Sequence, residues 1–226
     1  MLGLRLFFYD PAGEMYNEGD NYALLHCLDL MDGVIIFIDP LVILGTNSQY
    51  AERIEELKRT NTDNFRIGGD TRDIVQYLKE ELYQRTYRDY EYEKRHNDND
   101  VHFYLEGNEY HYARCAVVIT KSDVKTDKLN LDAIVGEAAI QQEISSNPSL
   151  NYEDAMNVIC RRLLQETWGS ELQFLDEMFN KKVRCFSVSS FGHMPSAGSP
   201  FTPQRVELPL LWLLQEKYAK ILDKRK

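Results

Sequence analysis

The chain has 226 residues, 43% of them apolar, enough for one large domain or two small ones with a sizeable core. Lys and Arg number 26 against 36 Asp and Glu, a net charge of −10, which argues against a nucleic-acid or anionic-membrane surface built on basic patches. No apolar run approaches the roughly 20 residues that span a bilayer, and the apolar patch before Tyr9 is too short for a signal peptide, so a cytoplasmic protein is expected. The four cysteines, Cys27, Cys115, Cys160 and Cys185, show no C-x-x-C spacing and are read as reduced, small core residues.

The first expected strand, Leu2–Tyr9, ends in Asp10-Pro11-Ala12-Gly13-Glu14. A polar loop follows, then a helix over Tyr22–Met31 with Leu24, Leu25 and Leu28 on one face. Gly33–Ile38 is a second strand, ending in Asp39-Pro40. The apolar spacing of Tyr50, Ile54 and Leu57 predicts a short amphipathic helix over Ser48–Arg59. Ile74, Leu78 and Leu82 predict a longer one over Thr71–Arg95.

Nine of the 14 tyrosines lie between Pro40 and Ala113. That concentration sets the stretch apart as an insertion projecting from the sheet. It is either a solvated helix whose rings pack while their hydroxyls stay wet, or a surface for a protein partner. His96–Asp100 is a turn by composition. His102–Leu105 and Glu109–Tyr112 flank Glu106-Gly107-Asn108 as a β-hairpin would. No metal-ligand spacing organises the histidines of this stretch.

Cys115–Ile119 is an unbroken apolar strand ending in Thr120-Lys121-Ser122-Asp123. A second insertion, Val124–Lys182, is read as three helices. Leu131, Ile134, Val135 and Ala138 mark the first. The second is capped by Asn151 and carries Met156, Ile159, Cys160 and Leu163. The third carries Leu172, Leu175 and Met178. The last strand, Val183–Val188, ends in Ser189-Ser190-Phe191-Gly192. A Gly/Ser/Pro loop, His193–Pro203, leads to a final helix, Leu208–Asp223, expected to bury Leu211, Trp212 and Leu222.

Continuous apolar strands are typical of parallel sheets covered on both faces. In such α/β sheets the ligand lies beyond the carboxyl ends of the strands, so the strand endings carry the functional reading. Asp-x-x-Gly at Asp10–Gly13, Thr-Lys-x-Asp at Thr120–Asp123 and Ser189-Ser190-Phe191, in that order, resemble the switch II, base-specificity and Ser-Ala-Lys motifs of P-loop GTPases of the Ras and translation-factor class. Asp-Pro-Ala-Gly-Glu, Ser-Ser-Phe-Gly and Pro-Leu-Leu-Trp are also similar to bacterial double-GTPase domains found with conflict systems. The resemblance implies a three-layer, mainly parallel α/β sheet of P-loop NTPase type in a single domain over 1–226. That domain carries insertions at about 40–113 and 124–182.

It also implies chemistry. Asp123 would accept from the two adjacent N–H donors of guanine, a charge-assisted bidentate contact that adenine cannot make. Lys121 would lay its stem over the ring, with its ammonium near the ribose. Thr120 would tie the loop to its neighbours. Ser189 and Ser190 would supply a hydroxyl and a backbone N–H, and Phe191, where the family has Lys or Leu, would wall the base. Asp10 would hold Mg2+ through water. Gly13 would offer its N–H to a γ-phosphate. Glu14 stands where a Ras-like protein has Gln, and an ionised Glu can only accept hydrogen bonds.

The departure is G-x-x-x-x-G-K-[ST], the phosphate loop, which occurs nowhere in the 226 residues. The nearest imitation, Gly68-Gly69-Asp70-Thr71, lacks the Lys. The resemblance starts at the switch II strand, so the expected domain is N-terminally truncated relative to the family. Two functions are then open. One is a guanine-nucleotide-binding domain that binds GTP or GDP with Mg2+ only when the phosphate-binding part comes from a missing segment or a partner. The other is a non-enzymatic pseudo-GTPase that binds protein through its tyrosine-rich insertion. The Leu4–Tyr9 strand is expected beside Val34–Ile38 in a sheet of about four strands. An open sheet edge would favour homodimers by strand addition.

Overall fold

A computed structural model describes residues 33–60, 72, 75, 76, 79, 114–127, 129–192 and 200–222. The expected Leu2–Tyr9 strand, the Tyr22–Met31 helix, Cys27, the hairpin after His102 and most of Thr71–Arg95 lie outside these. Residues 72, 75, 76 and 79 are helical, in keeping with the periodicity there.

The elements run β1 (Gly33–Ile38), α1 (Pro40–Gly45), α2 (Ala51–Thr60), β2 (Arg114–Ile119), α3 (Asp132–Val135), α4 (Glu137–Ser146), α5 (Tyr152–Thr167), α6 (Gly169–Met178), β3 (Val183–Ser187) and α7 (Leu208–Leu222). The described strands form one parallel sheet in the order β1-β2-β3, with Ile36 opposite Val117 and Val117 opposite Cys185. The structure is thus of α/β type. The middle strand is the one with the unbroken apolar run, and Cys115 to Ile119 are all fully buried, because a strand flanked on both sides and covered on both faces has no wet side.

Side chains alternate across the sheet. Val34, Ile36, Ile38, Cys115, Val117, Ile119, Cys185 and Ser187 therefore share one face. Cys160 of α5 sits against it, close to Cys185 and Ser187. The opposite face carries Arg114, Ala116, Val118 and Phe186. There α7 packs, with the Trp212 ring tilted on Phe186 at 5.8 Å and the Arg114 guanidinium 4.9 Å over the same indole. Cys115, Cys160 and Cys185 are core residues as expected. Burial pushes all three thiols up, Cys185 to about 12.

β3 borders the described sheet, yet one backbone group at each outward residue is taken by a side chain. Its pairing with β2 turns residues 183, 185 and 187 outward. Arg161 Nη2 donates to Val183 O (3.2 Å), Cys185 N donates to Asn157 Oδ1 (2.9 Å), and Arg205 Nε donates to Ser187 O (2.8 Å). Arg161 is itself locked by a bidentate pair with Asp176 at 2.5 and 2.9 Å. Side chains here replace the strand that an open edge would recruit.

Two readings of the helices need correction. The first helix of the second insertion is two, α3 and α4, broken at Gly136. A Cβ on Gly136 would stand 2.8 Å from Ser122 O and 2.4 Å from Asp132 Oδ1, so the chain passes too close for any side chain. Four helices, not three, separate β2 from β3. In α7, Leu211 is 43% exposed. Leu213 instead packs inward beside Gly33, and Trp212 is half-buried. The α5 cap is as expected, with Asn151 Oδ1 accepting from Asp154 N at 2.8 Å.

Candidate functional site at the carboxyl end of the sheet

The ends of β1, β2 and β3 meet through backbone bonds. Thr120 N donates to Ile38 O (2.9 Å), Val188 N to Ile119 O (2.9 Å) and Ser122 N to Val188 O (3.1 Å). The Thr120–Asp123 loop is therefore bonded on one side to the end of β1 and on the other to the segment entering Ser189. The two motif loops read from the sequence are neighbours in space.

Each side chain follows from that frame. Thr120 Oγ1 donates to Ile38 O at 3.1 Å, tying the loop to β1 as a hydroxyl there can. Lys121 adopts a left-handed backbone, φ 54°, uncommon outside Gly and Asn. Its ammonium reaches across to Asp39 Oδ2 at 2.5 Å. Asp39 is nearly buried, and its other oxygen caps α1 by accepting from Leu41 N at 3.0 Å. Asp39 thus satisfies a helix start and a cation with one carboxylate. Ser122 is fully buried, whereas Asp123 is half-buried, and no hydrogen bond or ion pair engages its carboxylate among the described residues.

In the neighbouring loop, Ser189 is buried and its hydroxyl accepts from Gly192 N at 2.7 Å. Ser190 is exposed. Ser189 and Gln204 exchange backbone bonds (3.1 and 2.8 Å), and Thr202 N donates to Phe191 O (3.0 Å), so 189–192 and 201–204 form a short antiparallel ribbon. Gly192 is required in it: φ is 76°, and a Cβ would fall 1.9 Å from Thr202 O. The ribbon presents Phe191 and Phe201, 47% and 63% exposed and edge to face at 5.4 Å.

Below the loop lies a cluster that sequence reasoning missed. The Arg205 side chain is 8% exposed. Its Nη2 donates to Ser122 Oγ (2.9 Å), and its Nη1 donates to Glu137 Oε2 (3.0 Å) and Tyr152 OH (3.2 Å). Tyr152 also donates to Glu137. Desolvation alone would raise the Glu137 carboxyl, but hydrogen bonds from Tyr152 and Gln141 and the Arg205 guanidinium together hold it below the usual value. Asp39 had a signal, an Asp-Pro closing an apolar strand. Arg205 had none, since it follows a Gly/Ser/Pro loop and its partners come from four distant segments.

Asp10, Gly13 and Glu14 lie outside the described residues. Among those described, no cluster of three or more His, Cys, Asp or Glu could hold a metal ion. No described helix is long and apolar enough to cross a membrane. No protein-family profile, curated protein or solved structure matches this chain.

Proposed function

We propose that this chain is a guanine-nucleotide-binding domain of GTPase lineage, with Thr120, Lys121, Asp123, Ser189, Ser190 and Phe191 at its base-binding end. The observation that carries the reading is the Asp123 carboxylate. It stands at the carboxyl end of the central parallel strand with no partner among the described residues, beside a loop whose other polar groups are bonded. A carboxylate there can accept both guanine donors at once. The exposed Phe191 ring would, in this reading, wall the base. In this reading Asp10 serves Mg2+ and Gly13 the γ-phosphate, while Glu14 does not act as the Gln of a Ras-like protein. Phosphate affinity and hydrolysis need a nest of N–H groups and a Lys, which the 226 residues do not contain as a recognisable motif. GTP turnover then depends on a further segment or a partner chain.

Calorimetric titration of the 226-residue chain with guanosine, adenosine and Mg–GTP tests the proposal. The expected result is weak binding of guanosine, about millimolar, or about 4 kcal/mol, with adenosine weaker and no phosphate release from GTP. Equal binding of the two nucleosides would contradict the base reading. Steady turnover would contradict dependence on a second component. The alternative, a protein-binding pseudo-GTPase, draws on the missing phosphate loop and the tyrosine-rich stretch, and predicts binding of neither nucleoside.

A further inference from the structure

Arg205 makes four side-chain hydrogen bonds to residues of four different segments: the end of β3, the loop after β2, and the first turns of α4 and α5. Its backbone is left-handed, φ 61°, a conformation that non-glycine residues seldom adopt and that persists where the surroundings over-determine it. Ser122 is its link to the Thr120–Asp123 loop. The Ser122 amide is bonded to Val188 O, its hydroxyl to Arg205, and its carbonyl faces the bare Gly136. Asp123 is the next residue.

We infer that Arg205 is a positioning residue for base recognition: it fixes Ser122 against the end of β3, and so fixes where Asp123 presents its carboxylate. The inference rests on the reading of Asp123 given above. Bidentate recognition demands an acceptor held to a fraction of an ångström, and with Ser122 tied to the β3 side by its amide alone the loop would keep more freedom than that. A guanidinium can do this, because its planar fork reaches Ser187 O, Ser122 Oγ and Glu137 together. A Lys ammonium has no such fork. Glu137 balances the charge that burial of Arg205 would otherwise leave alone.

The test uses the full chain carrying Arg205→Lys, Arg205→Met or the milder Ser122→Ala. Two things are read by NMR: hydrogen exchange at the Ser122 amide relative to Val117, and titration with guanosine and adenosine. Each variant is expected to weaken guanosine binding about tenfold with adenosine unchanged. The two Arg205 variants should also speed Ser122 exchange about tenfold while Val117 stays protected. Guanosine preference and Ser122 protection that both survive in the variants would overturn the positioning role and leave the base reading standing. If the Arg205 variants do not fold, Ser122→Ala decides alone, and unchanged guanosine affinity in it overturns the inference. A wild-type chain with no guanosine preference, whose Arg205 variants still lose Ser122 protection, would sink the base reading while the anchoring of the loop stands.

Discussion

The outer edge of β3 and the loop after β2 lie one strand apart and are built on opposite plans. Along β3, one outward backbone group at each of 183, 185 and 187 meets a side chain, from Arg161, Asn157 and Arg205. In the loop, Thr120, Lys121 and Ser122 are bonded, and then Asp123 offers a carboxylate that nothing described engages. Side chains meet the backbone of the one, whereas the other keeps an acceptor that the proposed base recognition would use.

The comparison can be broken hardest at what the two regions share, the core strand between them. Ile119 is fully buried, and Ile119→Ala should lower stability by about 2–5 kcal/mol through lost burial and a residual cavity, measured by urea unfolding. A loss under about 1 kcal/mol would mean that β2 is not the enclosed strand described.

The edge comes next. Asn157→Ala or Arg161→Ala should each cost about 1–3 kcal/mol, since each strands a buried backbone group. The double variant should also self-associate in sedimentation runs, because β3 then presents open donors and acceptors. A double variant as monodisperse as the wild type would show that these side chains are not what closes the edge.

A smaller effect comes from pH. Glu137 is held below its ordinary value when folded, so its contribution is present above its unfolded value of about 4.3 and is lost as pH falls through the lower, folded value. Melting temperatures of the wild type should drop faster below about pH 4.3 than those of Glu137→Gln. Parallel curves would remove Glu137 from the Arg205 cluster.

The contrast between the regions also explains what could be read in advance. β2 was legible because burial on both faces leaves an unbroken apolar string, and α5 because Asn151 announces its start. The proximity of the Thr120 and Ser189 loops followed from placing both at strand ends. The break at Gly136 was not legible: the Leu131–Ala138 spacing fits one helix, and the extended backbone at Gly136, with Asp132 and Ser122 O packed against it, divides it in two. Leu211 misled because Leu208–Leu214 is almost wholly apolar, so periodicity cannot choose a face. Arg205 and Asn157 act through residues far along the chain, and no local pattern marks such pairings.

The smallest effect on stability belongs to the residue on which the proposed base recognition turns. With its carboxylate unengaged among the described residues, Asp123→Asn should leave stability within about 0.5 kcal/mol of the wild type, as urea unfolding can check. The same variant tests the central claim most directly when the wild-type and Asp123→Asn chains are titrated with guanosine and xanthosine. Asn can donate where Asp only accepts, so the account predicts that preference moves from guanosine in the wild type to xanthosine in the variant, with the fold intact. Guanosine preference that survives the substitution unchanged would contradict it.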